Sequence, residues 1–103
     1  MKVNLIIFVT SLKEKNINEM LLKTFESNIR PAKGDILEDP GFHPRYHNGY
    51  EVVKVTINYA ANECLVSLHP LTLEMEEIKI ETYIENLEAH GWHVLSKEEL
   101  KNT

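Results

Sequence analysis

The stretch from Tyr50 to His69, YEVVKVTINYAANECLVSLH, leaves the fold little freedom, because it alternates apolar and polar residues in two arms on either side of a polar loop. In the first arm Val53, Val55, Ile57 and Tyr59 alternate with Lys54, Thr56 and Asn58, the two-residue period of a strand with one buried and one wet face. In the second, Cys64, Val66 and Leu68 share one face, with Leu65, Ser67 and His69 on the other. Antiparallel pairing with both apolar faces on one side sets Val53, Val55 and Ile57 opposite Leu68, Val66 and Cys64, and a slip by one residue turns one set into water. Ala60 and Ala61 do not suit the positive φ angles of a two-residue turn, so a longer connection using Asn58 and Asn62 is expected. A lone hairpin is marginal in water, and the rest of the chain must supply a third strand and a cover.

Val3 to Leu12 fits that need. Val3, Leu5, Ile7 and Val9 lie on one face and Ile6 and Phe8 on the other, so both sides are apolar and the strand belongs inside a sheet. Ile17 to Asn28 is ambiguous. Ile17, Met20, Leu21, Thr24 and Phe25 fall at helical spacing behind an Asn16/Glu19 cap pair, while Met20, Leu22 and Thr24 also suit a strand hairpinned back through Lys13 to Asn16. Pro31 and the Gly34-Asp35 pair break what precedes them, and Ile36 and Leu37 begin a short strand. Leu71, Leu73 and Met75 alternate with Thr72 and Glu74, and Ile78 and Ile80 flank Lys79, which reads as extended chain, with a helix from near Glu74 as the alternative. From Thr82 a helix is expected, with Thr82 and Glu85 as a capping box, Ile84 and Leu87 as its inward stripe and Gly91 as a left-handed C-cap. Trp92 and Val94 follow it against the same core.

With 103 residues the chain is read as one domain spanning 1–103, large enough for one core. Sixteen acidic residues against eleven basic give a net charge of −5, which provides no general attraction to phosphate backbones or anionic lipid. No run approaches the apolar length of a membrane span, and Leu5 to Val9 is too short for a secretory signal. The single cysteine, Cys64, lies on the face read as buried, so it is expected to be a packed thiol in a reducing, cytoplasmic setting.

An apolar first strand, the R-P-x-x-G-D sequence of Arg30, Pro31, Gly34 and Asp35, a variable loop, and the Y-x-V-x-x-V hairpin of Tyr50, Val52 and Val55 together resemble small hypothetical proteins of bacteria and their phages, over roughly residues 3 to 69. The resemblance implies a compact antiparallel β-meander without a shared activity, and it favours a strand for the segment before Asn28. Lys33, Gly34, Asp35 and Ile36 also resemble the Gly-Asp turn of ASCH-type PUA-like barrels, which implies RNA binding, although the Gly-x-Lys motif of those domains has no counterpart here. The fold expected is therefore α+β: a small antiparallel β-meander or half-open barrel of four to five strands with a C-terminal helix.

Asp39 to Gly49, DPGFHPRYHNG, is the irregular segment that carries the most chemistry. Phe42, His43, Arg45, Tyr46 and His47 offer stacking and hydrogen-bonding groups, and they form the expected partner-binding set. His43 and His47 are four apart with Asp39 four before, but Pro40, Gly41 and Pro44 forbid the helix that would aim them at one metal, and a third ligand would have to come from elsewhere, such as His69. No metal or other cofactor is therefore assigned. His90 is read as a helix C-cap residue. The glycines at 34, 41, 49 and 91 are scattered, no nucleophile sits in a strand-turn-helix elbow, and the run Glu74, Glu76, Glu77 and Glu81 reads as a solvated face, so no catalytic residue is assigned. The function expected is a non-enzymatic interaction module that binds a protein partner or a copy of itself. The alternatives are a metal-dependent or nucleic-acid-processing enzyme built on His43, His47 and His69, and an RNA-binding barrel.

Overall fold

The computed structural model describes residues 1–11, 18–42, 49–73 and 80–95. Its strands are β1 (Lys2–Ser11), β2 (Asn18–Glu26), β3 (Ile36–Leu37), β4 (Tyr50–Asn58), β5 (Glu63–Leu68), β6 (Leu71–Leu73) and β7 (His93–Val94), with one helix, α1 (Ile80–Ala89). The sheet runs β3-β4-β5-β1-β2-β7, and β6 pairs with β1 beyond the end of β5. It curls into a half-open barrel, mostly β with a C-terminal helix, as expected, but with more strands than four or five. The segment before Asn28 is a strand. No helix among the described residues is long and apolar enough to cross a membrane.

The antiparallel meander is corrected to a mixed sheet. β1 runs antiparallel to β2 but parallel to β5 and β6. Alternation records which face of a strand is buried and not which way its neighbour runs, so the both-sided apolar pattern of β1 placed it in the interior without giving the direction of its partner. β5 follows Lys2 to Ile6 of β1 and β6 follows Val9 to Ser11, so the two behave as one interrupted strand. The interruption falls at Pro70, which has no N–H to give the ladder.

Val3, Leu5, Ile7 and Val9 are all buried, and with Leu21, Cys64, Val66 and Leu68 they form the inner face of the sheet. The hairpin register holds where Val55 faces Val66 and Ile57 faces Cys64. It fails at Val53: a bulge between Val52 and Lys54 puts Val52, fully buried, opposite Leu68. The connection is the longer one expected, with the Asn58 side chain accepting the Ala61 amide at 3.2 Å and Asn62 at a φ of 55°. Asp35 is a turn residue, its carboxylate accepting the Ala32 amide at 2.8 Å.

α1 begins at Ile80, which is helical and not extended as expected, so Thr82 lies inside it and not at an N-cap. Burying Tyr83 and Leu87, four residues apart on one side, requires the turn around Thr82 to be helical already. At the other end the Trp92 amide reaches the Leu87 carbonyl at 3.1 Å and the Gly91 amide that of Glu88 at 3.3 Å, the paired bonds of a Schellman cap. The His90 ring nitrogen Nδ1 lies 2.8 Å from the Asn86 carbonyl, in keeping with a C-cap role. Gly91 has a φ of 93°, and among the described residues a Cβ there would meet only the Lys23 Cε, at 3.6 Å. G91A therefore isolates backbone strain, and we expect it to lower the unfolding free energy by about 1 kcal/mol in urea denaturation without changing the m-value.

Candidate functional site

The partner-binding set read from the sequence divides at its first member. Phe42 is only 5% exposed: its ring meets Tyr50 edge-on at 4.6 Å and lies 6.0 Å from the Trp92 ring. Phe42 is thus a core residue and not the exposed stacking group expected. A phenyl ring beside Trp92 and Tyr50 removes more apolar surface from water than it could in an open loop. His43, Arg45, Tyr46 and His47 lie outside the described residues. His69 is exposed, with Nδ1 3.0 Å from the Pro70 carbonyl. No group of three His, Cys, Asp or Glu side chains suited to a metal occurs among the described residues. Cys64 is buried, as the packed-thiol reading requires.

Asp39, noted in the sequence for its spacing to His43 and His47, is a hub. The Lys23 ammonium donates to Oδ2 at 2.7 Å, the Gly41 amide to Oδ1 at 2.8 Å and the Trp92 indole N–H to Oδ1 at 3.0 Å. The Asp39 side chain is 9% exposed and that of Lys23 20%. Burial pushes the Asp39 carboxyl up, but the bonds from Lys23, Gly41 and Trp92, with the charge of Lys23, outweigh it and hold the carboxyl below its ordinary value. Asn86 adds a further tie, its side-chain amide donating to the Gly41 carbonyl at 2.9 Å. The loop that leaves β3 is thereby fixed to β2 and to the end of α1.

The same arrangement frames a cleft of about 310 Å³ that the sequence did not announce. Lys23 and Phe25 face inward because they pair with the inward residues Leu5 and Val3 of β1. Leu5, Phe25, Ile29, Pro31 and Leu37 supply its apolar lining, while the Lys23–Asp39 pair lies two residues along β2 from Phe25. Pro31 is buried, whereas Phe25 is 38% and Ile29 79% exposed. The cavity thus joins buried apolar lining at Leu5 and Pro31 to apolar side chains open to solvent at Phe25 and Ile29, at the small end of the range for ligand pockets. Comparison with known proteins matches the chain to no family model, no curated protein and no solved structure.

The cleft sits at a margin of the sheet. Among the described residues, β7 covers β2 only at Leu21 and Leu22 and through the backbone bond of Leu95 to Met20. Among them, β2 is therefore an edge strand from Lys23 onward, and β3, which carries Leu37, is the other edge. The residues that build the cleft are spread from Leu5 to Asp39 with no motif spacing. The only sequence signal was Ile29 and Pro31, two apolar residues in an otherwise polar connection.

Proposed function

We propose that this chain is a non-enzymatic, cytoplasmic protein-interaction domain and that the cleft is where it takes an apolar side chain of a partner. The observation that carries this reading is the union of buried apolar lining, Leu5 and Pro31, with exposed apolar side chains at Phe25 and Ile29. Residues buried against one another have a structural reason to be apolar, but an isoleucine 79% in water beside an open apolar cavity contributes little to stability. Arg45 and Tyr46, residue types enriched at interfaces, are also proposed as partner-binding residues, without Phe42.

An RNA-binding reading draws no support from the cleft, where Lys23 is already committed to Asp39 and the remaining charged side chain is Glu38. The test of the interaction reading is selection of random peptides displayed on phage against the full chain. Peptides with an apolar anchor should be enriched, and their affinity for I29D should fall about tenfold or more, because a carboxylate there must be desolvated when the anchor docks. I29D should unfold at the same denaturant concentration as wild type within error, the side chain being exposed. Selected peptides that bind I29D as well as wild type would remove the cleft from the proposal.

A further inference from the structure

The open edge of β2 suggests how a partner is held, and here we rest on the interaction reading and deepen it. The Ser27 amide donates to the Met1 carbonyl at 3.0 Å and the Met1 ammonium to the Ser27 carbonyl at 3.3 Å, so Met1 and Ser27 exchange bonds as a closely spaced pair. Bonded pairs alternate along an antiparallel ladder, so Phe25 and Lys23 also aim their amides and carbonyls at β1. Thr24 and Glu26 then aim theirs the other way, toward the side that β7 occupies only as far as Leu22. Among the described residues these outward groups have no backbone partner, and both residues are exposed.

Beside this bare edge lies the cleft, on the face to which Phe25 belongs. A strand laid antiparallel to β2, continuing the line of β7, would exchange backbone bonds with Thr24 and Glu26. Its residue opposite Phe25 would point inward, into the space between Ile29, Pro31 and Leu37. Edge and cavity are thus in register for one occupant, and each alone would be incomplete. Exposed carboxylates favour basic residues at the flanks of that occupant. Glu26 is 79% exposed although 3.5 Å from the N-terminal ammonium, Glu38 is exposed and the Lys23–Asp39 pair cancels itself, while Arg30, between Ile29 and Pro31, is an exposed cation of the neighbouring loop.

We propose that the edge of β2 at Thr24 and Glu26, together with the cleft beside it, binds an extended segment of a partner protein by antiparallel strand addition, with one large apolar side chain lodged in the cleft and basic residues flanking it. Main-chain bonds supply affinity in this mode, and the pocket for an alternate side chain supplies selectivity.

The test uses a synthetic peptide of six residues, two lysines, valine, threonine, leucine and a C-terminal amidated threonine, which puts the leucine opposite Phe25 and ends opposite Thr24, short of the Leu22 that β7 already pairs. With the full chain labelled for NMR, saturating peptide should slow amide exchange at Thr24 and Glu26 about tenfold or more. N-methylation of both threonines, whose N–H groups would face β2, should weaken binding about tenfold or more, while N-methylation of the leucine should change it less than about twofold. Replacing both lysines by glutamate should also weaken binding, and the difference should shrink at high salt. If the peptide shifts the Ile29 and Leu37 methyl resonances but both N-methylated forms bind equally, the cleft reading stands and strand addition is overturned. If no peptide perturbs those methyls, the cleft reading and strand addition both fail. Concentration-dependent protection of Thr24 and Glu26 without peptide would place a second copy of the chain on the edge, and overturns a foreign partner.

Discussion

D39A lowers the unfolding free energy by about 3 kcal/mol, and D39N by about half as much. The alanine variant leaves the Gly41 amide and the Trp92 indole N–H without an acceptor, at about 1–3 kcal/mol for each buried donor left unpaired. Lys23 adds less to the loss, because a side chain already 20% exposed can carry its ammonium to water while its stem stays packed. Asparagine keeps an oxygen for both N–H donors and gives up the charge, so the two variants separate the hydrogen bonds from the ion pair. Trp92 is the chain's single tryptophan, and its fluorescence in a denaturant titration reports the hub directly. Equal losses in the two variants would show that the charge, and not the acceptor, holds the loop.

The same pair of proteins gives a pH test whose sign is fixed. The Asp39 carboxyl is held below its ordinary value of 3.8 in the folded state, so the unfolded chain takes up this proton first as the pH drops. Its contribution is complete above 3.8 and is lost as the pH falls below that through the folded-state value. The stability gap between wild type and D39N should therefore stay flat across neutral pH and close in acid. A gap that persists unchanged into strong acid would contradict the hydrogen-bonded carboxylate described here.

Legibility in the sequence followed locality. Val55 opposite Val66 and Ile57 opposite Cys64 could be read because alternation within two neighbouring strands carries that information. Val52 could not, because its register depends on a third strand as well. The Val52 amide donates to the Asp35 carbonyl and its carbonyl accepts the Gly34 amide, both at 2.8 Å, while its side chain faces Leu68 across the other ladder. The bulge is where both sets of bonds are satisfied together, and nothing between Tyr50 and Asn58 records it. Phe42 was misplaced for the same reason: a ring beside two prolines and two glycines reads as exposed until Trp92, fifty residues on, is brought against it. An inward lysine on β2 is likewise unreadable without Asp39, since only that partner makes a cation on an inner face tolerable. The cleft inherits all three difficulties, being assembled from strand residues, a loop and an ion pair that are distant in the chain.

G49A should be the most damaging of the small substitutions, costing about 2–4 kcal/mol from positive-φ strain and overpacking together. Gly49 has a φ of 77°, and a Cβ there would stand 2.6 Å from the Leu37 carbonyl oxygen, 2.7 Å from Ile36 Cγ2 and 3.1 Å from the Leu37 carbonyl carbon. Two of those three atoms are backbone and cannot turn aside as a flexible side chain would. β3 must therefore move away from β4, which breaks the pairing of Leu37 with Tyr50 and of Ile36 with Glu51. G91A, with a similar φ and, among the described residues, only a flexible lysine carbon nearby, supplies the reference for backbone strain alone, so the excess loss in G49A measures the collision. Because Leu37 lines the cleft, the displacement of β3 should also weaken peptides that select the wild-type chain, even under conditions where the variant is fully folded. Indistinguishable losses in G49A and G91A, or a G49A protein that binds such peptides normally, would show that β3 yields without cost and that Leu37 does not shape the site.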